Sequence, residues 1–180
     1  MKVVAIVGMT GAGKSEVARI FEKNGLKRIR FGDITDEEVK KSGLELNEEN
    51  ERHVRELLRQ KYGMAAYAKL NMARIDEALK YLDVVIDGLY SWEEYVFLHN
   101  YYKEDFYVVA VWASPATRYE RLTKRPERCL ALEEAVGRDR AEIENINKGG
   151  PIAMADFTII NESSTKDLQK EVKRILSALR

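Results

Sequence analysis

Residues Gly8-Met9-Thr10-Gly11-Ala12-Gly13-Lys14-Ser15 match the pattern G-x-x-x-x-G-K-[S/T] in full. They follow directly on Val3-Val4-Ala5-Ile6-Val7, a run that is apolar at every position. Few features constrain a fold as tightly. The run reads as a strand buried on both faces, which requires helices on both sides of a parallel sheet. A helix is expected next, because Val17, Ile20 and Phe21 share one face and Asn24-Gly25 supplies a stop. By typical residue frequencies the four fixed positions meet by chance in about one chain in two hundred of this length. The strand-before, helix-after setting is the context the pattern needs.

Each part of the motif has a mechanical reason. Glycine lets the backbone curl so that successive N–H groups face inward and cradle phosphate oxygens. The helix N-terminus adds a partial positive charge. Lys14 is placed to reach the β and γ phosphates, and the Ser15 hydroxyl is a hard oxygen ligand for Mg²⁺. Gly8, Gly11, Ala12, Gly13, Lys14, Ser15 and Glu16 are the expected binding loop. The alternative is a glycine-rich turn that fits by accident.

Four more short strands are expected: Leu26 to Phe31, Asp83 to Asp87, Phe106 to Ala113 and Phe157 to Ile160. Thr35-Asp36-Glu37-Glu38 fits a capping box opening a long helical stretch to Tyr81, with breaks at Gly43 and Gly63. Ser91-Trp92-Glu93-Glu94 fits a second box, and Ser114-Pro115 an N-cap followed by proline. A further helix is expected from about Ala131 to Asn147, and a last one carries Leu168, Val172, Ile175, Leu176 and Leu179 on one stripe. Strands alternating with amphipathic helices give an α/β fold with a parallel sheet and helices on both faces. No repeat, low-complexity tract or linker divides the 180 residues. One domain over 1–180 is expected, with a helical flap at about 35–80 and an Arg-rich lid at about 118–147.

Composition narrows the function classes. Thirty Lys plus Arg balance thirty Asp plus Glu, so the net charge is zero. That argues against a bulk nucleic-acid or membrane-surface binder, which relies on excess basic residues, and leaves room for a local basic patch. The lone Cys129 cannot close an internal disulfide, and no apolar run approaches a membrane span, so a cytoplasmic setting is expected.

Asp87, in Val84-Val85-Ile86-Asp87-Gly88, ends a buried strand. Strand ends form the ligand crevice of an open parallel sheet, so Asp87 suits Mg²⁺ binding through water, or else a plain turn before glycine. Asp33, after Phe31-Gly32, suits either a general base facing a substrate hydroxyl or a helix cap. Arg118, Arg121, Arg125 and Arg128 are spaced to line one helix face, with Arg138 and Arg140 following. Six arginines in 23 residues fit a lid that stabilises a phosphoryl group in flight; the alternative is a solvated face paired with Glu120, Glu127, Glu133 and Glu134.

Together these residues resemble the P-loop nucleoside-monophosphate kinases, particularly dephospho-CoA kinases and adenylate-kinase-related proteins. The likeness runs over nearly the whole chain and is carried by Gly8 to Ser15, Gly32-Asp33, Asp87-Gly88, Arg121 to Arg125 and Ile159-Ile160-Asn161-Glu162-Ser163. It implies a five-stranded parallel sheet of order 2-3-1-4-5. It also implies Mg²⁺-dependent transfer of the ATP γ-phosphoryl group to a nucleotide-like or dephospho-CoA-like small molecule, by a monomer or homodimer. By resemblance, Gly13, Lys14 and Ser15 take phosphate and Mg²⁺, Asp33 faces the acceptor hydroxyl, and Asp87 belongs to the Asp-Gly pair. Arg121 and Arg125 match lid arginines, and Asn161 the loop against adenine.

Two positions depart from the adenylate-kinase pattern: Asp36 stands where an arginine grips the acceptor phosphate, and Leu89-Tyr90 where Pro-Arg follows Asp-Gly. Residues 33 to 51 hold eight acids against two lysines, an unwelcoming mouth for an anionic acceptor. A nucleotide-dependent regulatory protein without kinase activity is the alternative function. Lys148-Gly149-Gly150-Pro151 fits an ordinary turn or a small anion nest, and Tyr62, Tyr67, Tyr90 and Trp92 fit core packing or ring contact. His53 and His99 lack metal-ligand partners in sequence.

Overall fold

The computed structural model describes residues 1–126 and 129–179. The apolar run forms β1 (Val3–Val7), with all five residues fully buried. Its pleat sends alternate side chains to opposite faces. Val3, Ala5 and Val7 join one core cluster, Val4 and Ile6 the other. Each aliphatic side chain removed from water contributes about 1.5–3 kcal/mol, which commits this segment to the centre of a covered sheet.

β1 leads through the glycine-rich loop into α1 (Lys14–Lys23), then β2 (Lys27–Arg30) and α2 (Asp33–Lys41). Two more helices, α3 (Glu48–Tyr62) and α4 (Ala66–Ala78), precede β3 (Val84–Asp87), α5 (Trp92–Tyr102) and β4 (Phe106–Trp112). The chain continues as α6 (Pro115–Thr123), α7 (Leu132–Glu144), the short α8 (Gly149–Ala153), β5 (Phe157–Ile160) and α9 (Thr165–Ala178). The five strands are parallel in the order β2-β3-β1-β4-β5, the order the resemblance implies. Helices α2 to α5 cover one face, with Ile34, Val54, Tyr67 and Leu98 in its cluster. Helices α1 and α9 cover the other, with Phe21 and the stripe Leu168, Val172 and Ile175. Among the described residues no helix is long and apolar enough to cross a membrane.

The breaks fall where glycine permits them: α2 ends just before Gly43 and α3 at Gly63, whose φ values of 69° and 82° suit a residue without Cβ. The Ser91 capping box is present, Ser91 Oγ accepting from the Glu94 N–H and the Glu94 carboxylate from the Ser91 N–H. The expected box at Thr35 is not. Helix α2 already begins at Asp33 with Gly32 as its cap, so Thr35 lies inside the helix, buried. There its hydroxyl shares a 2.6 Å hydrogen bond with the Tyr67 hydroxyl.

The arginine row is also corrected. Helix α6 ends at Thr123, because Pro126 disfavours helical backbone in the residue before it. Arg118 and Arg121 are on α6, Arg125 lies beyond it, and Glu127 and Arg128 lie outside the described residues. Among the described residues no continuous helix face joins Arg118 and Arg121 to Arg125. Tyr67 is a core side chain edge-on to Tyr90, whereas Trp92 is 36% exposed and stacks on Tyr95 rather than entering the core.

Candidate nucleotide and phosphoryl-transfer site

The site forms at the carboxyl ends of β1 and β3. Register places Ile6 beside Asp87, so the phosphate loop leaving β1 faces the end of β3. The loop's backbone explains its glycines. Gly8 has φ 149°, and a Cβ there would lie 2.3 Å from the Val111 carbonyl oxygen on β4. Gly13 has φ 99°, and a Cβ there would lie 2.2 Å from Asn161 Nδ2. Neither position admits another residue without displacing the loop.

Ser15 Oγ donates to Asp87 Oδ1 at 3.1 Å. The other oxygen, Oδ2, accepts from Arg28 through Nε at 3.0 Å and through Nη2. Asp87 is 3% exposed, so Arg28 supplies the counter-charge that its burial requires. Lys14 Nζ donates to the Met9 carbonyl at 3.1 Å. Burial of that ammonium, with Lys148 nearby, lowers its pKa to about 7.

Three other expected residues meet beside the loop. Asn161 Nδ2 donates to the Ala12 carbonyl at 2.8 Å, and Arg121 Nη2 donates to the Asn161 carbonyl at 2.8 Å. Arg121 Nη1 is buried and has no hydrogen-bond partner among the described residues. Glu16 instead points away, exposed and paired with Arg19 at 2.8 Å. Arg125 is exposed, off the end of α6.

Asp33 and Asp36 converge on one cation: Arg30 Nη1 donates to Asp33 Oδ1 at 2.8 Å and to Asp36 Oδ2 at 2.7 Å. Between α2–α3 and α7 lies a cleft of about 800 Å³. Asp36 and Arg30 line it, together with Arg59, Arg138, Glu142 and Lys148.

Arg118 belongs to the frame rather than to this cleft. It is 4% exposed and donates to Asp139 through Nη1 at 2.8 Å and Nη2 at 2.7 Å. The same Nη1 donates to the Thr10 carbonyl at 3.1 Å, so one guanidinium ties the phosphate loop to α6 and α7.

Two residues, Glu142 and Arg59, escaped sequence reasoning, and the burial of a third, Lys148, did too. Lys148 is 1% exposed and paired with Glu142 at 2.8 Å, where the sequence suggested a turn before α8. Glu142 reaches the loop itself, accepting from Thr10 Oγ1 at 2.6 Å. Arg59 packs its guanidinium over Tyr67 at 5.6 Å, and its buried Nε has no hydrogen-bond partner among the described residues. The only local signal of Glu142 and Arg59 is charge at apolar-flanked helix positions, which is common on any solvated helix.

The sequence pattern of the AAA_18 family, described as an AAA domain, matches residues 4–145. A UPF0200 protein of Thermococcus kodakarensis is 38% identical over 184 residues, spanning 98% of this chain and 97% of its own. A UPF0200 protein of Methanocaldococcus jannaschii is 36% identical, spanning 99% and 91%. Among solved structures, one from Thermus thermophilus superposes with a TM-score of 0.68 at 18% identity, covering 99% and 98% of the two chains. A shikimate kinase from Bacteroides thetaiotaomicron superposes with a TM-score of 0.63 at 13% identity, again covering 99% and 98%. At such identities the structural likenesses speak for a shared P-loop kinase-like fold alone. The sequence matches go further: the chain belongs to the AAA_18 family of AAA domains and, over nearly its whole length, to the UPF0200 proteins.

Proposed function

We propose that the chain is a small-molecule kinase that transfers the γ-phosphoryl group of Mg-ATP to a nucleotide-like or dephospho-CoA-like acceptor. The observation that carries this reading is the apposition of Ser15 and Asp87 at the phosphate loop, 3.1 Å apart, beside a cleft large enough for an acceptor. Two hard protein oxygens suit Mg²⁺, which keeps several waters and takes its remaining ligands from substrate phosphates. Ser15 and Asp87 would hold the ion, which would supply positive charge against the negative charge developing on the phosphoryl group.

The chain's own groups supply the rest. Glycines 8, 11 and 13 shape the loop for phosphate, and Lys14 adds a mobile positive charge. Asn161 and Arg121 border the loop on the side where the resemblance puts adenine. On the acceptor side, Asp36 lines the cleft and joins Asp33 as a candidate for taking the acceptor hydroxyl proton. Arg59 offers positive charge to an anionic acceptor, a role that position 36 cannot fill. In this reading α2 to α4 form the acceptor flap, α6 and α7 the lid, and the protein acts in the cytoplasm as a monomer or homodimer.

One observation favours a second reading, a nucleotide-dependent regulatory protein without transfer: Arg30 holds both candidate bases, Asp33 and Asp36, in ion pairs. Radiolabelled ATP offered with nucleosides, nucleotides, dephospho-CoA and small hydroxy acids separates the two. Label moving to one acceptor, abolished by Lys14→Ala in a folded chain, supports the kinase. Tight binding with hydrolysis only, across all acceptors, supports the regulator.

A further inference from the structure

Glu142 sits on the phosphate loop as an anion would. Its Oε2 accepts from the Thr10 N–H at 3.3 Å and its Oε1 from the Thr10 hydroxyl at 2.6 Å. Lys148 Nζ lies 2.8 Å from Oε2 and Arg138 Nε 3.6 Å from Oε1. A backbone N–H of the loop, a hydroxyl, an ammonium and a guanidinium are the donors that phosphate oxygens attract. A side chain contributed by α7, 132 positions from Thr10 in sequence, takes the Thr10 and Lys148 donors, while Arg138 also donates to Glu48 at 3.3 Å.

Lys14, Lys148 and Arg138 all act on one another electrostatically. Glu142 acts on each of them, with Asp87 also acting on Lys14, Glu94 on Lys148 and Glu48 pairing with Arg138 at 3.3 Å. Lys148 is 1% exposed, and a lysine is rarely buried so fully without a matching anion. One carboxylate brings one negative charge and two oxygens. A terminal phosphoryl group brings more charge and three oxygens, enough to engage the Thr10 donors and Lys148 together. Burial pushes against ionisation of Glu142, yet Lys148 and Lys14 overcome it and hold the carboxyl well below the usual range.

The position also selects which phosphate is involved. The loop's backbone serves the inner phosphates, whereas its lysine reaches the outer ones. Glu142 and Lys148 line the cleft and both act electrostatically on Lys14, so the cluster links the loop lysine to the space proposed for the acceptor. That is where a transferred group must lie. Exchange asks only for rotation of the Glu142 side chain, since α7 stays tied to the loop through Arg118 and Asp139.

We infer that Lys148 is a binding residue for the terminal phosphoryl group of the nucleotide, and that Glu142 holds that place in the ligand-free chain until the triphosphate displaces it. The inference rests on the nucleotide-kinase reading of the loop. It adds a device for preferring triphosphate over diphosphate, because a diphosphate leaves Glu142 in its seat.

Calorimetric titration with Mg²⁺ plus either adenylyl imidodiphosphate, a triphosphate that is not turned over, or ADP tests this. Lys148→Met is expected to weaken triphosphate binding tenfold or more while changing ADP binding less than threefold. Glu142→Gln is expected to tighten triphosphate binding threefold or more and leave ADP unchanged. Should Lys148→Met fail to fold, the double variant Lys148→Met with Glu142→Gln removes both buried charges. It is then expected to bind the two ligands with equal affinity. Equal losses for the triphosphate and ADP in Lys148→Met, or unchanged binding of both, overturn the assignment while leaving the kinase reading intact. If the unaltered chain binds neither ligand and Lys14→Met behaves the same, both readings fall.

Discussion

The Ser15 hydroxyl and the Asp87 carboxylate are hydrogen-bonded at 3.1 Å, and Arg28 holds the oxygen of Asp87 that Ser15 does not. Asp87 therefore already has a counter-ion before any divalent metal arrives. Removing one partner of a buried pair strands the other charge, at about 3 kcal/mol or more. Arg28→Gln is expected to lower the melting temperature of the ligand-free chain, with part of the loss restored by millimolar Mg²⁺ and ADP. Asp87→Asn is expected to show no such rescue. Thermal denaturation with and without the metal decides it: equal Mg²⁺ effects in both variants would remove Asp87 from the metal site.

The Arg118–Asp139 pair makes a second prediction, about architecture. Both residues are under 10% exposed and joined by two hydrogen bonds of 2.8 and 2.7 Å. Arg118→Met should destabilise the chain by about 3–5 kcal/mol in denaturant titration. Adding Asp139→Leu should recover much of that loss, because no uncompensated charge then remains. A loss below about 1 kcal/mol in the single variant would show that the pair does not hold α6 and α7 to the loop.

Glu94 gives the fold a pH dependence of known sign. The residue is fully buried, and burial raises its pKa to about 7 against hydrogen bonds from the Tyr90 and Ser91 N–H groups and the pull of Arg59 and Lys148. Between the ordinary carboxylate range and pH 7 the folded chain holds a proton that the unfolded chain has released. Glu94 thus subtracts stability as pH rises through that window, and the deficit is complete above about 7. Relative to Glu94→Gln, the unaltered chain should lose about 2–3 kcal/mol between pH 4.5 and 7. Parallel stability-versus-pH curves for the two chains would contradict the shift.

Backbone geometry supplies a fourth test. Gly8→Ala would press a methyl into the Val111 carbonyl at 2.3 Å, against backbone that cannot rotate away. A loss of about 3 kcal/mol or more is expected. Gly137 lies inside α7 with nothing within 4 Å of an added Cβ, so Gly137→Ala should stabilise by about 0.5–1 kcal/mol. Chemical denaturation of the two variants reads opposite signs if the loop is as tightly fitted as the contacts indicate.

Much of this was legible in the chain. The strand from Val3 to Val7, the loop and the helix after it follow from local rules, as do the Ser91 cap and the stops at Gly43 and Gly63. Asn161 and Arg121, singled out by resemblance, meet beside the loop. Thr35 looked like a cap because its neighbours fit a box, yet the helix starts three residues earlier, capped by Gly32, and the Thr35 hydroxyl turns to Tyr67. The arginines looked like one face because spacing was counted through Pro126.

What the sequence by itself determined is the class of fold and the phosphate loop, since both depend on residues within a few positions of one another. Apolar runs choose strands, glycines permit left-handed turns, and hydroxyls cap helices without help from afar. What tertiary structure decided is the electrostatics of the site. Thr10 meets Glu142 across 132 positions, Arg28 meets Asp87 across 59, and Arg118 meets the Thr10 carbonyl across 108. Burial turns each of these from an ordinary surface charge into an obligatory partner, because a charge removed from water must find its counter-ion within the fold.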